Sequence, residues 1–392
     1  MMNKTSAPFD PVIVAAVRSP VGRRNGTLKE MRADELLAHA IRSLVERSKI
    51  SPALVEDVIA GCVTQIGEQG FNIGRTATLM SGLPQDVPGT TLSRQCGSSQ
   101  QALHFAAMAV ASGQQDVVIA AGVEAMSRVP MASDAAIGVQ GVAPAIPFSQ
   151  MLTDHYQLVT QHDAAERVAE KWGISRKACE EFSLESHRRA ASARENGRFR
   201  DEIAPIMVDG AVFDRDEGIR ADSTLEKLAS LATVIKPTGV VTAGTASQIS
   251  DGSAALLVTS RKKADELGMK PRAKVLATQV VGVDPTMMLH GVIPATQKVL
   301  ARAGLNLSDI DLFEVNEAFA SVPLAWSKEL GISLEKVNVN GGAIAIGHPL
   351  GASGARILTT LIHELEKRGA RYGLATMCIG MGQATATILE RL

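Results

Sequence analysis

Two patterns of apolar positions alternate along the chain. Runs such as PVIVAAVRS (11–19), VEDVIAGCVT (55–64) and DVVIAAGVE (116–124) are nearly continuous, as in strands buried on both faces, while ADELLAHAIRSLVERS (33–48) repeats its apolar residues at the helical period. The alternation predicts α/β layers with largely parallel strands. It returns in the C-terminal part as a helix over IPATQKVLARAG (293–304), a strand with its exit loop over DIDLFEVNEAF (309–319), and a strand, glycine turn and helix over 337–369. A final strand is predicted over YGLATMCIG (372–380).

Matched element by element, DVIAGCV corresponds to DLFEVNE and DVVIAAG to YGLATMC. The turn holding Cys96 then corresponds to the turn holding His348. Two copies of one unit packed about a pseudo-twofold axis would bring these turns together at the carboxyl ends of the strands, where open α/β sheets bind ligands. Residues 124–248 break the rhythm with the loop-rich stretch MSRVPMASDAAIGVQGVAPAIPFSQ and two amphipathic helices, as a lid or binding excursion does. The expected organisation is an N-terminal half over 1–123 completed by 249–271, an inserted lid over 124–248, and a C-terminal half over 272–392.

Composition narrows the function classes. The 392 residues carry 40 basic and 41 acidic side chains and only 3% aromatics, which offers neither a phosphate-binding charge excess nor a base-stacking platform, so no nucleic-acid partner is expected. No signal-peptide pattern and no apolar run of membrane-spanning length is present, so a cytoplasmic location without membrane contact is expected. The four cysteines, Cys62, Cys96, Cys179 and Cys378, form no CxxC pair, and no metal is expected.

The chemistry-bearing candidates lie at strand ends. Cys96, in TTLSRQCGSSQQALHF, precedes a Gly-Ser-Ser turn that opens an apolar helix, a position where the helix dipole favours a thiolate. His348 lies in NGGAIAIGHPLGASGA, where five glycines between 341 and 354 let backbone approach a ligand and Pro349 is expected early in the next helix. Its imidazole is expected to titrate near neutral pH. Cys378 ends an apolar strand, and Asn316 and Glu317 follow DLFEV, where a buried amide or carboxylate needs partners and can orient another group.

This constellation and its surrounding motifs resemble the thiolase family along nearly the whole chain: RSPVGR, CGSS, GVEAMS, NGRFRDEIAPI, TAGTASQISDG, NEAF, NGGAIAIGHPLGASGAR and CIGMG. The resemblance implies a duplicated α/β/α/β/α layered fold with an inserted lid, and a CoA-dependent enzyme of Claisen condensation and thiolysis. It implies Cys96 as the acyl-carrying nucleophile, His348 as its base, and Cys378 as the α-proton shuttle. One oxyanion hole would come from His348 and a water held by Asn316, the other from the backbone N–H groups of Cys96 and Gly380. Pantetheine would run along AGTAS with Ser247 as a contact, and Arg220 would stand beside the nucleotide. Coenzyme A is then substrate and product, with no permanently bound cofactor, and a homodimer or homotetramer is expected.

The acyl side departs from acetoacetyl-CoA-specific members of the family. CGSSQQA replaces CGSG, Gln161 and His162 stand in VTQHDAAERVA, and Leu289 and His290 stand in MMLHGVIPA. These changes leave room for a larger acyl chain, with Met288 and Phe319 as expected pocket walls. GCVTQIGEQ and QHDAAERVA resemble bacterial thiolases that include degraders of steroid side chains. The alternatives are a ketoacyl-synthase-like condensing enzyme, which pairs its cysteine with two histidines and lacks the CIGMG thiol, and a non-catalytic acyl-CoA or lipid carrier on the same fold.

Overall fold

The computed structural model describes residues 9–139 and 147–392; residues 140–146 of the expected lid stretch lie outside the described residues. Five strands belong to the N-terminal half: β1 (Pro11–Arg18), β2 (Asp57–Gly61), β3 (Gly89–Leu92), β4 (Val117–Ala125) and β5 (Ser250–Ser260). Four belong to the C-terminal half: β6 (Ala273–Gly282), β7 (Leu312–Val315), β8 (Tyr372–Ile379) and β9 (Gln383–Arg391). They hydrogen-bond in the order β7-β8-β9-β6-β1-β5-β4-β2-β3. Read outward from the central β6–β1 pairing, Val12 opposite Lys274 and Ile13 opposite Ala273, β6-β9-β8-β7 repeats β1-β5-β4-β2. The expected strand at 337–340 is reduced to a single parallel bridge between Val337 and Phe313, at the place where β3 flanks β2.

The sheet is mixed rather than largely parallel. Between the named strands, parallel pairing is confined to β2 with β3 and β4, and to β7 with β8. The last strand of each half runs antiparallel to both its neighbours. For β9 the cause is covalent: three residues separate it from β8, and a link that short joins only antiparallel strands.

Successive side chains of a strand face opposite ways, and the core divides accordingly. Val117, Ile119 and Ala121 of β4 pack with helix α1 (Ala33–Ser48) on one outer face. Val118 and Ala120 join a central core that also takes Leu256 of β5, Ala375 and Met377 of β8, and helices α2 (Ser98–Ala111) and α7 (Ser353–Arg368). The second outer face is covered by α3 (Gln161–Trp172), α5 (Val292–Ala303) and α6 (Ser321–Leu330), packed on Ala384, Ala386 and Ile388 of β9. The result is the layered α/β/α/β/α arrangement with α2 and α7 as its middle.

The middle helices approach closely at their N-termini. A Cβ at Gly354 would lie 2.3 Å from the backbone nitrogen of Gln100, and one at Gly122 would lie 2.2 Å from the carbonyl oxygen of Gly351, so both positions demand glycine. Two polar residues on buried α2 bond to the other half of the molecule. Gln100 donates to the Ala375 carbonyl and the Thr387 hydroxyl, and accepts from Thr385; His104 bonds Thr387 at 2.8 Å.

Between β4 and β5 the chain forms the short helices Ser133–Val139 and Gln150–His155, then α3 and α4 (Arg176–Glu195). A Thr160–Asp163 capping box starts α3 and left-handed Gly173 (φ 59°) ends it. Ser175 caps α4 through the backbone N–H of Ala178. Among the described residues no helix is long and apolar enough to cross a membrane.

Candidate active site

Four chain segments converge where the two halves meet. Between β3 and α2 the backbone turns sharply at Gln95, whose φ of 45° is unusual for a side chain larger than glycine, and the next residue is Cys96. Its sulfur is buried and takes hydrogen bonds from its own backbone N–H and from that of Gly380. Burial nevertheless pushes the thiol up to about 12, and the Glu124 carboxylate adds to the rise. The dipole-based expectation of a thiolate is therefore corrected: two N–H bonds do not offset complete desolvation, and Cys96 rests as the thiol. Cys378, one residue before the end of β8, is also buried, and its thiol is raised by desolvation and by the nearby Cys96 sulfur.

His348 comes from the loop before α7. Pro349 does not enter that helix; it precedes a one-turn 3₁₀ segment (Leu350–Ala352), and α7 begins at Ser353. The imidazole is 4% exposed, with Nδ1 2.6 Å from the Ser353 hydroxyl and Nε2 3.4 Å from the Asn316 amide nitrogen. Desolvation, reinforced by the Arg356 charge, pulls it down to about 3, so it is neutral at physiological pH rather than poised to switch there. Asn316 follows β7 and is buried; its Oδ1 has no hydrogen-bond partner among the described residues. Neighbouring Glu317 turns away from this chemistry, accepting from Ser186, Asn338 and the Ile344 N–H, and so fastens the His348 loop to α4 and β7.

His348 lines a cavity of about 840 Å³ under the inserted segment. Ser247, Arg220 and Phe319 line the same cavity, as do Gln161 and His162 at the start of α3. His162 meets Phe319 edge-on at 5.2 Å between ring centroids. Met288 departs from the expectation: it is 3% exposed, lies in the apolar core beside α5, and does not line this cavity. The short 3₁₀ turn over Met288–Gly291 (Met288 φ 39°) tucks it into the packing of the C-terminal half.

Family models describe the whole assembly. The thiolase N-terminal domain matches residues 11–262 and the thiolase C-terminal domain matches 269–391. The chain belongs to the thiolase family. This thiolase is 47% identical over 383 residues to a steroid 3-ketoacyl-CoA thiolase of Mycobacterium tuberculosis, covering 97% of this chain and 94% of the relative. It is 46% identical to a 3-ketoacyl-CoA thiolase of Pseudoalteromonas translucida, covering 98% and 99%. Among solved structures, the Bacillus anthracis acetyl-CoA acetyltransferase superposes with a TM-score of 0.90 at 40% identity, covering 99% of this chain and all of that one. Human mitochondrial 3-ketoacyl-CoA thiolase in complex with CoA superposes at 0.89 with 36% identity over the full length of both. The protein is thus an enzyme, a CoA-dependent acyltransferase of the thiolytic and condensing type.

Three supports of the thiolase site escape sequence reading. Glu124, buried at the end of β4, accepts from the backbone N–H groups of Val63, Thr64 and Gly351 and from Gln69, joining the N-terminal half to the His348 loop. Gln248 donates to the Gly218 and Ile344 carbonyls, while its own carbonyl accepts the His348 N–H. Ser353 holds Nδ1 of His348. Of these, only Glu124 carried a signal, a carboxylate directly after an apolar strand in GVEAMS.

Proposed function

We propose that this thiolase cleaves and forms 3-ketoacyl-CoA thioesters through an acyl group carried on Cys96. In the cleavage direction, Sγ of Cys96 attacks the ketone carbon as its proton passes to Nε2 of His348. The C2–C3 bond then breaks, its electron pair goes to C2 as the enolate of acetyl-CoA, and the Cys378 thiol protonates C2. Acetyl-CoA leaves. Incoming CoA gives its thiol proton to the Cys378 thiolate and attacks the acyl carbonyl, and Cys96 departs by recovering its proton from His348. Condensation is the reverse.

Each oxyanion has donors in this scheme. The protonated Nε2 of His348, with a water on Asn316, serves the thioester enolate, and the N–H groups of Cys96 and Gly380 serve the adduct on Cys96; removing one such donor costs about 3–4 kcal/mol of barrier. Pantetheine follows 243–247 past Ser247, with the nucleotide near Arg220. The His162–Phe319 pair forms the acyl-side wall, in keeping with acyl chains longer than acetoacetyl. The reading also takes the protein as cytoplasmic and self-associating, without a resident cofactor, its halves at 1–123 with 249–271 and at 272–392.

The observation that carries the proposal is the position of His348: a neutral imidazole in hydrogen-bonding reach of Asn316, on the wall of a cavity that Ser247 and Arg220 also line. The test separates the two thiols. Mixed with acetyl-CoA, Cys378→Ala should still gain an acetyl mass on Cys96, while exchange of the acetyl-CoA methyl protons with deuterated water falls about 10²- to 10⁴-fold. A Cys378→Ala variant that exchanges at the wild-type rate would remove the shuttle role, and absence of acetyl from Cys96 in the wild type would remove the covalent route.

A further inference from the structure

The hydroxyl of Ser353 makes two contacts, 2.6 Å to Nδ1 of His348 and 2.9 Å to the carbonyl oxygen of Pro349, one helical turn back. It owns one hydrogen. With the imidazole proton on Nδ1, Nδ1–H donates to the hydroxyl oxygen while the hydroxyl donates to Pro349, and both contacts are hydrogen bonds. With the proton on Nε2, the hydroxyl must donate to Nδ1, the Pro349 contact is lost, and Nε2–H faces the Asn316 amide N–H group at 3.4 Å, donor against donor. From this count we infer that Ser353 is a positioning residue for catalysis: it fixes the His348 proton on Nδ1, so that Nε2, facing the Asn316 amide N–H, is unprotonated and can take the proton of Cys96.

The inference rests on His348 being the base for Cys96, as proposed above. Ser353 itself is fully buried and does not line the His348 cavity, so its effect passes through the imidazole. The same hydroxyl also steadies the imidazolium that forms when Nε2 takes the proton, because Nδ1–H then donates more strongly to it. Ser353→Ala leaves the Nδ1–H form with an unmade buried hydrogen bond. The Pro349 carbonyl keeps a partner there, the Ala352 N–H at 3.0 Å, so the local backbone is not orphaned.

The experiment follows acetyl transfer from acetyl-CoA to Cys96 by rapid-quench intact mass between pH 6 and 10, for wild type, Ser353→Ala, Ser353→Thr and His348→Ala. An unmade buried hydrogen bond predicts transfer roughly 10- to 100-fold slower in Ser353→Ala at pH 7, with the concentration of acetyl-CoA giving half-maximal rate nearly unchanged. The deficit should narrow as pH rises, because hydroxide then forms the Cys96 thiolate without the imidazole. Ser353→Thr, which keeps the hydroxyl, should recover most of the rate. A purely structural serine would lower the melting temperature and leave the transfer rate and its pH profile untouched. Wild-type transfer by Ser353→Ala beside an inactive His348→Ala overturns the role of Ser353 and leaves the base assignment standing. Wild-type transfer by His348→Ala overturns both.

Discussion

A Cys96 thiol pushed up to about 12 and a His348 imidazole pulled down to about 3 are both neutral at pH 7, and this resting state makes a kinetic prediction for Cys96. The thiolate is the species that iodoacetamide alkylates. At pH 7 an unperturbed cysteine is about 3% thiolate, whereas a group titrating near 12 is about 10⁻⁵ thiolate. Alkylation of Cys96 should therefore be roughly three orders of magnitude slower than that of a free cysteine at neutral pH, and should accelerate close to tenfold per pH unit from 6 to 9. A thiolate–imidazolium pair behaves oppositely: it is already ionised above about pH 4, and its alkylation rate is flat through neutrality. The assay is loss of activity with time in iodoacetamide, with peptide mapping to confirm that Cys96 carries the label. A rate that plateaus between pH 6 and 8 would refute the neutral pair and restore the dipole-stabilised thiolate that the helix start alone implies.

Two further predictions concern the supports of the site. Glu124→Ala removes the shared acceptor of three buried backbone N–H groups and of Gln69, so it should destabilise the fold by more than about 3 kcal/mol in urea unfolding and lower kcat by loosening the Gly351 end of the His348 loop; a loss under about 1 kcal/mol would mean that these donors find other partners. His104, buried against Thr387, is pulled by desolvation to about 3 against about 6.5 in the unfolded chain. Between those values the unfolded state binds a proton that the folded state refuses, so its contribution to stability is present above pH 6.5 and is lost as pH falls. The stability advantage of wild type over His104→Gln should shrink by about 1.2 kcal/mol from pH 6 to pH 5, and a constant difference would contradict a buried neutral imidazole.

The layers were legible because burial leaves its mark on local pattern: continuous apolar runs at β1, β2 and β4, and helical periodicity at α1. Strand direction was not, since it depends on which distant strand lies alongside; only the three-residue link between β8 and β9 encodes it locally. Cys96, His348, Asn316 and Cys378 stood out because each follows or precedes a predicted element at the same end of the sheet. Their protonation was illegible, because the helix dipole is a local quantity while desolvation is set by everything that packs around the site. Met288 misled for a related reason: an apolar residue beside an altered loop looks the same in sequence whether it faces a cavity or the core.

Two of the supports that sequence reading missed, Glu124 and Gln248, bond across segments distant in the chain, whereas Ser353 bonds within its own half. Glu124 belongs to β4, yet it accepts the N–H of Gly351 beside α7. Gln100 belongs to the helix that follows Cys96, yet it bonds β8 and β9, and Arg94, two residues before Cys96, donates to Gln383 at the start of β9. Cys96 is thus positioned partly by the half that carries His348, and His348 partly by the half that carries Cys96. A small shift between the halves would move Cys96 and His348 in opposite senses, and proton transfer tolerates less displacement than apolar packing does. This coupling explains why the middle layer uses glycines in contact with backbone and polar side chains bonded across the halves where an all-apolar seam would also fold: such contacts fix the register of α2 against α7, whereas apolar packing alone permits sliding.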